Sequence, residues 1–111
     1  MKKVFVSLPY SSSDSAIIEH RVNIAQSYCA ELLKQNITPI CPVISGHQYI
    51  RDIPDFALPY ETWLEYALVQ LDQTIAELHI LMLDGYDESN GIDTEVKQAE
   101  QLNIPIYHKE I

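Results

Sequence analysis

The stretch Leu78–Leu83, LHILML, is apolar on both faces apart from His79. A strand with one face in water alternates apolar and polar residues. A continuous apolar run of this length is the pattern of a parallel strand covered by helices on both sides. The run therefore predicts the centre of a parallel sheet.

Working outward, Lys3–Leu8 (KVFVSL) reads as another strand, stopped by Pro9. Tyr10–Asp14 is a serine-rich loop with N-cap candidates in Ser13 and Asp14. Over Ser15–Gln35, Ile18, Val22, Ala25, Cys29, Leu32 and Leu33 recur at spacings of three and four, one buried helical stripe. Thr38–Cys41 is a short strand. Pro42–Pro59 shows no clear period and reads as a long loop, with room for a short strand or helix. Tyr60–Glu77 reads as a second helix with Leu64, Leu68, Leu71 and Ile75 on one face. The polar loop Asp84–Gly91 (DGYDESNG) leads to a third helix, Ile92–Leu102, and Pro105–His108 is the last strand. Strands alternating with helices predict an α/β fold: a three-layer Rossmann/flavodoxin-like domain with a parallel sheet of four to five strands flanked by helices. Ligands of such sheets sit beyond the carboxyl ends of the strands. That edge would carry Pro9–Ser13, Pro42–His47 and Asp84–Gly91.

A chain of 111 residues suits a single domain over residues 1–111. No apolar run approaches the roughly 20 residues of a membrane span, and Val4–Leu8 is too short for a signal-peptide core. The expectation is a cytoplasmic protein with no membrane partner. Seven basic against 16 acidic residues give a net charge of −9, which repels a polyphosphate backbone and argues against nucleic acid. Cys29 and Cys41 lack metal-ligand spacing and read as small buried apolar residues. No metal or other cofactor is expected.

Glu95 is the most informative residue. With the third helix starting at Ile92 it lies in the first turn, and Ala99 and Leu102 follow at i+4 and i+7, so it shares the sheet-facing stripe. A carboxylate there is costly to bury unless something holds it, and the free N–H groups of a helix start would keep it ionised. The alternative is a capping glutamate. The spacing Ser89-x-Gly91-x-x-x-Glu95 favours a site: Gly91 lets backbone approach a ligand, and Ser89 adds a hydroxyl.

The segment GYDESNGIDTEVKQAEQLNIPIY resembles the terminal motif of the nucleoside 2-deoxyribosyltransferase superfamily, and VFVSLPYSSSD resembles its first strand and loop. The stretch CPVISGH is similar to a small bacterial and phage branch of that group. The resemblance implies cleavage of the N-glycosidic bond of a (deoxy)nucleoside or nucleoside monophosphate, by hydrolysis or base transfer. It implies Glu95 as nucleophile, Ser89 and Gly91 at the sugar and phosphate end, and Tyr10 beside the sugar, with a loop tyrosine against the core as the alternative. The branch has a histidine where His47 stands, a candidate substrate contact with an exposed loop histidine as the alternative. The family's usual helix aspartate falls at Leu68; Asp72, one turn on, is a candidate substitute, with a solvated helix residue as the alternative.

The leaving base needs a proton, for which Asp72, Glu65 and Asp84 are candidates. Ser11 and its neighbours are candidates for phosphate binding, with helix capping as the alternative. Arg21 reads as a solvated face residue and His79 as a satisfied core histidine. The expected partner is a small nucleoside or nucleotide. A homo-oligomer is also expected, with the second helix in the interface through Trp63 and Tyr66; the alternative is that Pro42–Pro59 folds back over them. The competing readings are a nucleotide-binding sensor without turnover and, last, a phosphoribohydrolase of the lysine-decarboxylase-like group, whose double-glycine loop is absent.

Overall fold

The structure, a computed structural model, describes residues 1–111. The elements are β1 (Lys3–Ser7), α1 (Ser15–Lys34), β2 (Thr38–Ile40), α2 (Pro42–Asp52), α3 (Tyr60–Leu68), β3 (Glu77–Leu81), a short 3-10 turn (Tyr86–Glu88), α4 (Asn90–Gln101) and β4 (Ile106–Lys109). The four strands are all parallel, in the order β2-β1-β3-β4. The expected α/β, three-layer, Rossmann-like fold is therefore what the chain forms.

Alternation along the strands sorts the core into two halves. Val4, Val6, Leu8 and Leu81 pack against Ala25, Cys29 and Leu32 of α1. On the other face Phe5, Leu78 and Ile80 pack with Leu71, Ile75 and, from α4, Ile92 and Ala99. Both central strands are thus buried on both sides, the condition read from LHILML. Asp14 caps α1, its carboxylate accepting the Ala16 N–H at 2.9 Å. Past the ends of α1 and α4 the chain turns through Asn36 and Asn103, both left-handed at φ 64° and 57°. Asparagine tolerates that conformation better than other non-glycine residues. No helix is long and apolar enough to cross a membrane.

Two segments depart from the sequence reading. Pro42–Asp52, read as loop, is a helix that starts with Pro42 in its first turn, where a missing N–H costs nothing. It buries Pro42, Gly46 and His47. Conversely, the helix expected over Tyr60–Glu77 stops at Leu68. The Asp72 carboxylate accepts the Thr74 N–H at 2.8 Å, a local turn that competes with helical bonding. Gln98 of α4 braces this end, donating to Leu68 O at 2.8 Å, which also accepts the Leu71 N–H at 3.1 Å, and to Leu71 O at 2.6 Å. Leu71 and Ile75 still reach the core, but from a turn rather than a helical face.

Candidate active site

A cleft of about 530 Å³ opens at the carboxyl edge of the sheet, within the size range of small-molecule sites. Its floor is Val6, Leu8, Ile92 and Glu95. One side is formed by the loops after β1 and β3, with Tyr10, Ser11, Gly85 and Ser89. The other is formed by α2 and α3, with Val43, Gly46, Tyr60, Trp63 and Leu64.

Glu95 is buried, at 8 % exposure. Its carboxylate accepts a hydrogen bond from Ser7 Oγ at 2.5 Å. Ser7 ends β1 on the same face as Phe5, two residues back, so strand alternation aims its hydroxyl at α4. The expectation that the helix start keeps Glu95 ionised fails on geometry. Ser89 is the N-cap, its Oγ accepting the Ile92 N–H at 3.2 Å, so α4 begins at Asn90 and Glu95 falls in the second turn, beyond the free N–H groups. Burial dominates instead and pushes the Glu95 carboxyl up to about 7, partly opposed by the Ser7 hydrogen bond.

Beside it runs a chain of three side chains that the sequence hid. The Tyr10 hydroxyl lies 2.8 Å from His47 Nδ1, and His47 Nε2 lies 2.8 Å from Glu19 Oε1. With Nε2–H donated to the carboxylate, Nδ1 is free to accept the phenolic proton. Burial first, and the Glu19 charge second, raise the Tyr10 phenol above its ordinary pKa and keep it neutral. The three residues sit in a loop, α2 and α1, so no sequence spacing links them.

Tyr10, Ser11, His47, Ser89, Gly91 and Glu95 all line the cleft. A Cβ at Gly91 would meet nothing closer than Ser89 Oγ at 3.8 Å, so what its bare backbone contributes is an open approach to the α4 amino end. Three candidates lie outside the lining. Asp72 is exposed in the turn after α3, with Lys3 and Thr74 for neighbours. Lys3 opens β1, so Asp72 belongs to the amino edge of the sheet, opposite Glu95. The stop of α3 at Leu68 removes the helical turn that was to carry Asp72 toward the cleft. Asp84 is exposed and absent from the lining; its part is a backbone carbonyl that accepts from Arg21 Nη2 at 3.0 Å. Glu65 is exposed as well.

Arg21 is not the solvated residue expected. Its guanidinium also donates to Tyr10 O at 3.2 Å and Ser11 O at 3.0 Å, tying the β1 and β3 loops together. Trp63 lies on Gly46, where a Cβ would come within 3.0 Å of the indole, and it packs edge-on with Phe56 and Tyr66. The Pro42–Pro59 segment therefore does fold back over the aromatic face of α3 and makes it a cleft wall.

The chain belongs to the family described as Domain of unknown function (DUF1937), which matches residues 2–110. No curated protein matches it.

Proposed function

We propose that this member of the DUF1937 family cleaves the N-glycosidic bond of a (deoxy)nucleoside or nucleoside monophosphate, in the manner of the nucleoside 2-deoxyribosyltransferase superfamily. The observation that carries the reading is a buried carboxylate, Glu95, on the floor of a nucleoside-sized cleft and oriented by Ser7. Ionised Glu95 attacks the anomeric carbon as the carbon–nitrogen bond breaks, and the base leaves with the electron pair. Water then adds to the same carbon, the ester to Glu95 breaks, the sugar is released and the proton from water neutralises the departed base; a second base in place of water gives transfer. Tyr10, fixed by His47 and Glu19, borders the reacting sugar. Ser89, Gly91 and the amino end of α4 offer donors to its hydroxyls or phosphate.

The test is incubation of the purified chain with a panel of nucleosides and monophosphates, with chromatography for free base. Base release that disappears in Glu95→Gln is the expected result. Binding of a nucleotide by calorimetry with no base released would instead support a non-catalytic sensor. That second reading draws on one observation: Glu88 is the only other carboxylate lining the cleft.

We further propose that a second copy of the chain covers the mouth beside α2 and α3. Tyr49, Ile50, Ile53, Leu58 and Tyr60 remain exposed there, whereas Trp63 is committed to the cleft. Light scattering should then give a particle larger than 12.7 kDa, reduced to that mass by Ile53→Lys.

A further inference from the structure

The cleft holds few groups able to give a proton to a departing base. A neutral purine or pyrimidine departs readily only if an acid protonates it. The carboxyl groups on the lining are Glu95 and Glu88. Glu95 is committed to the sugar carbon. Glu88 is exposed, on the β3-loop side next to Ser89, across the floor from the α2–α3 wall. That wall presents Val43, Trp63, Leu64 and Ala67 with two phenols and no carboxyl: Tyr66, whose hydroxyl is paired with Ser45 Oγ at 2.7 Å, and Tyr60, which is exposed to water. Tyr10 points its proton at His47 Nδ1 when His47 serves Glu19, and its phenol is a weaker acid than usual.

We infer that the cleft takes an N-glycoside whose departing heterocycle carries a fixed positive charge in the substrate, such as a pyridinium or an N-alkylated purinium, and leaves neutral. This rests on the proposed N-glycosidic chemistry and narrows its substrate class. The balance closes without an acid. A Glu95 oxygen forms the bond to the anomeric carbon, the carbon–nitrogen bond breaks, and its electron pair cancels the ring's positive charge. Anionic carboxylate and cationic ring give a neutral ester and a neutral base. Water then hydrolyses the ester and one proton goes to solvent.

Two further observations suit a cationic ring. The wall carries aromatic rings, with Trp63 seated against Gly46 and edge-on to Tyr66 and with Tyr60 on the same lining, and aromatic rings attract cations once water is excluded. The net charge of −9 steers cations toward the molecule.

The experiment compares matched substrates on the purified protein: guanosine against 7-methylguanosine, and adenosine and uridine against nicotinamide riboside and its monophosphate. An enzyme equipped with a general acid compresses the difference between neutral and charged leaving groups; one without it does not. The expected result is kcat/KM at least about 100-fold higher for the charged substrates, the low end of what a general acid contributes, with release abolished by Glu95→Gln. Trp63, the one tryptophan, gives a readout independent of turnover. In the Glu95→Gln protein 1-methylnicotinamide should quench its fluorescence saturably and neutral nicotinamide should not. If guanosine is cleaved as fast as 7-methylguanosine and Tyr10→Phe removes that activity, the Tyr10–His47–Glu19 chain is the acid; the inference falls while the N-glycosidic reading stands. If no substrate of either class releases base, both fall.

Discussion

The molecule contains the same hydrogen-bonded unit twice. Tyr10, His47 and Glu19 join at 2.8 and 2.8 Å with ring centroids 5.8 Å apart. Tyr28, His79 and Glu77 join at 2.7 and 2.8 Å with centroids 6.0 Å apart. Both imidazoles use Nδ1 for the phenol and Nε2 for the carboxylate. Both phenols are raised by burial first. Their settings differ. His47 and Tyr10 line the cleft that holds Glu95. His79 lies in the middle of β3, edge-on to Tyr107, and Lys2 pairs with Glu77 at 2.7 Å from the far side. A tyrosine–histidine–glutamate chain is therefore a way of satisfying a buried histidine. It becomes a candidate for chemistry only where it borders a cavity and a reactive group.

The largest expected effect falls on the residue that separates the two settings. Glu95→Gln should reduce base release by at least about a thousandfold while the folded content by circular dichroism is unchanged. Wild-type turnover in the mutant would make the two chains equivalent again.

The second effect is on stability, and the sign follows from the carboxyl's shift. Glu95 in the fold releases its proton near 7 against 4.5 ordinarily. Between those values the folded chain holds a proton that the unfolded chain has lost. Stability should therefore fall as pH rises through that window, by about 3 kcal/mol at about 1.4 kcal/mol per tenfold in proton affinity. Urea midpoints of wild type and Glu95→Gln, measured from pH 4.5 to 8, should diverge with the mutant higher at pH 8; parallel curves would remove the buried-carboxyl argument. The turnover rate should climb over the same window as Glu95 ionises. His79 works in the opposite sense. Burial leads in lowering its pKa, so its contribution is complete above about 6.5, the ordinary histidine value, and is lost as pH falls below it.

Next in size is the direct contrast between the histidines. His47→Gln should cost roughly 10- to 100-fold in kcat, because the Tyr10 phenol on the cleft lining loses its anchor. His79→Gln should leave kcat within about twofold and instead lower the unfolding free energy by about 1–3 kcal/mol, the cost of unpartnered buried groups. Equal losses of activity in the two would erase the distinction between the chains. The smallest effect is reserved for Asp72→Asn, expected to change kcat/KM by less than about twofold, since Asp72 faces water at the other edge of the sheet. A large loss there would restore it as the acid.

The strands and their order of alternation with helices were legible because burial on both faces leaves a continuous apolar run, as in LHILML. α2 was harder because its cleft-lining residues, Val43, Gly46, His47 and Ile50, hold helical spacing but include a glycine and a histidine where a hydrophobic stripe is sought. Pro42 at its first position was the readable signal. α3 was overextended because Leu71 and Ile75 continue the spacing of Leu64 and Leu68 while the backbone has already left the helix. Of the site, the residues local in sequence, Ser89, Gly91 and Glu95, came from one short segment. Ser7 was readable in principle, as a hydroxyl sharing a strand face with Phe5. Glu19 was not, because its pairing with His47 spans 28 positions and two helices.

Gln98 stands three residues after Glu95 on α4, and its amide grips the carbonyls of Leu68 and Leu71 where α3 ends. The helix of Glu95 and the helix bearing Trp63 are thereby clamped like the jaws of a caliper set to one gauge. Spreading those jaws would mean tearing two hydrogen bonds from a half-buried amide.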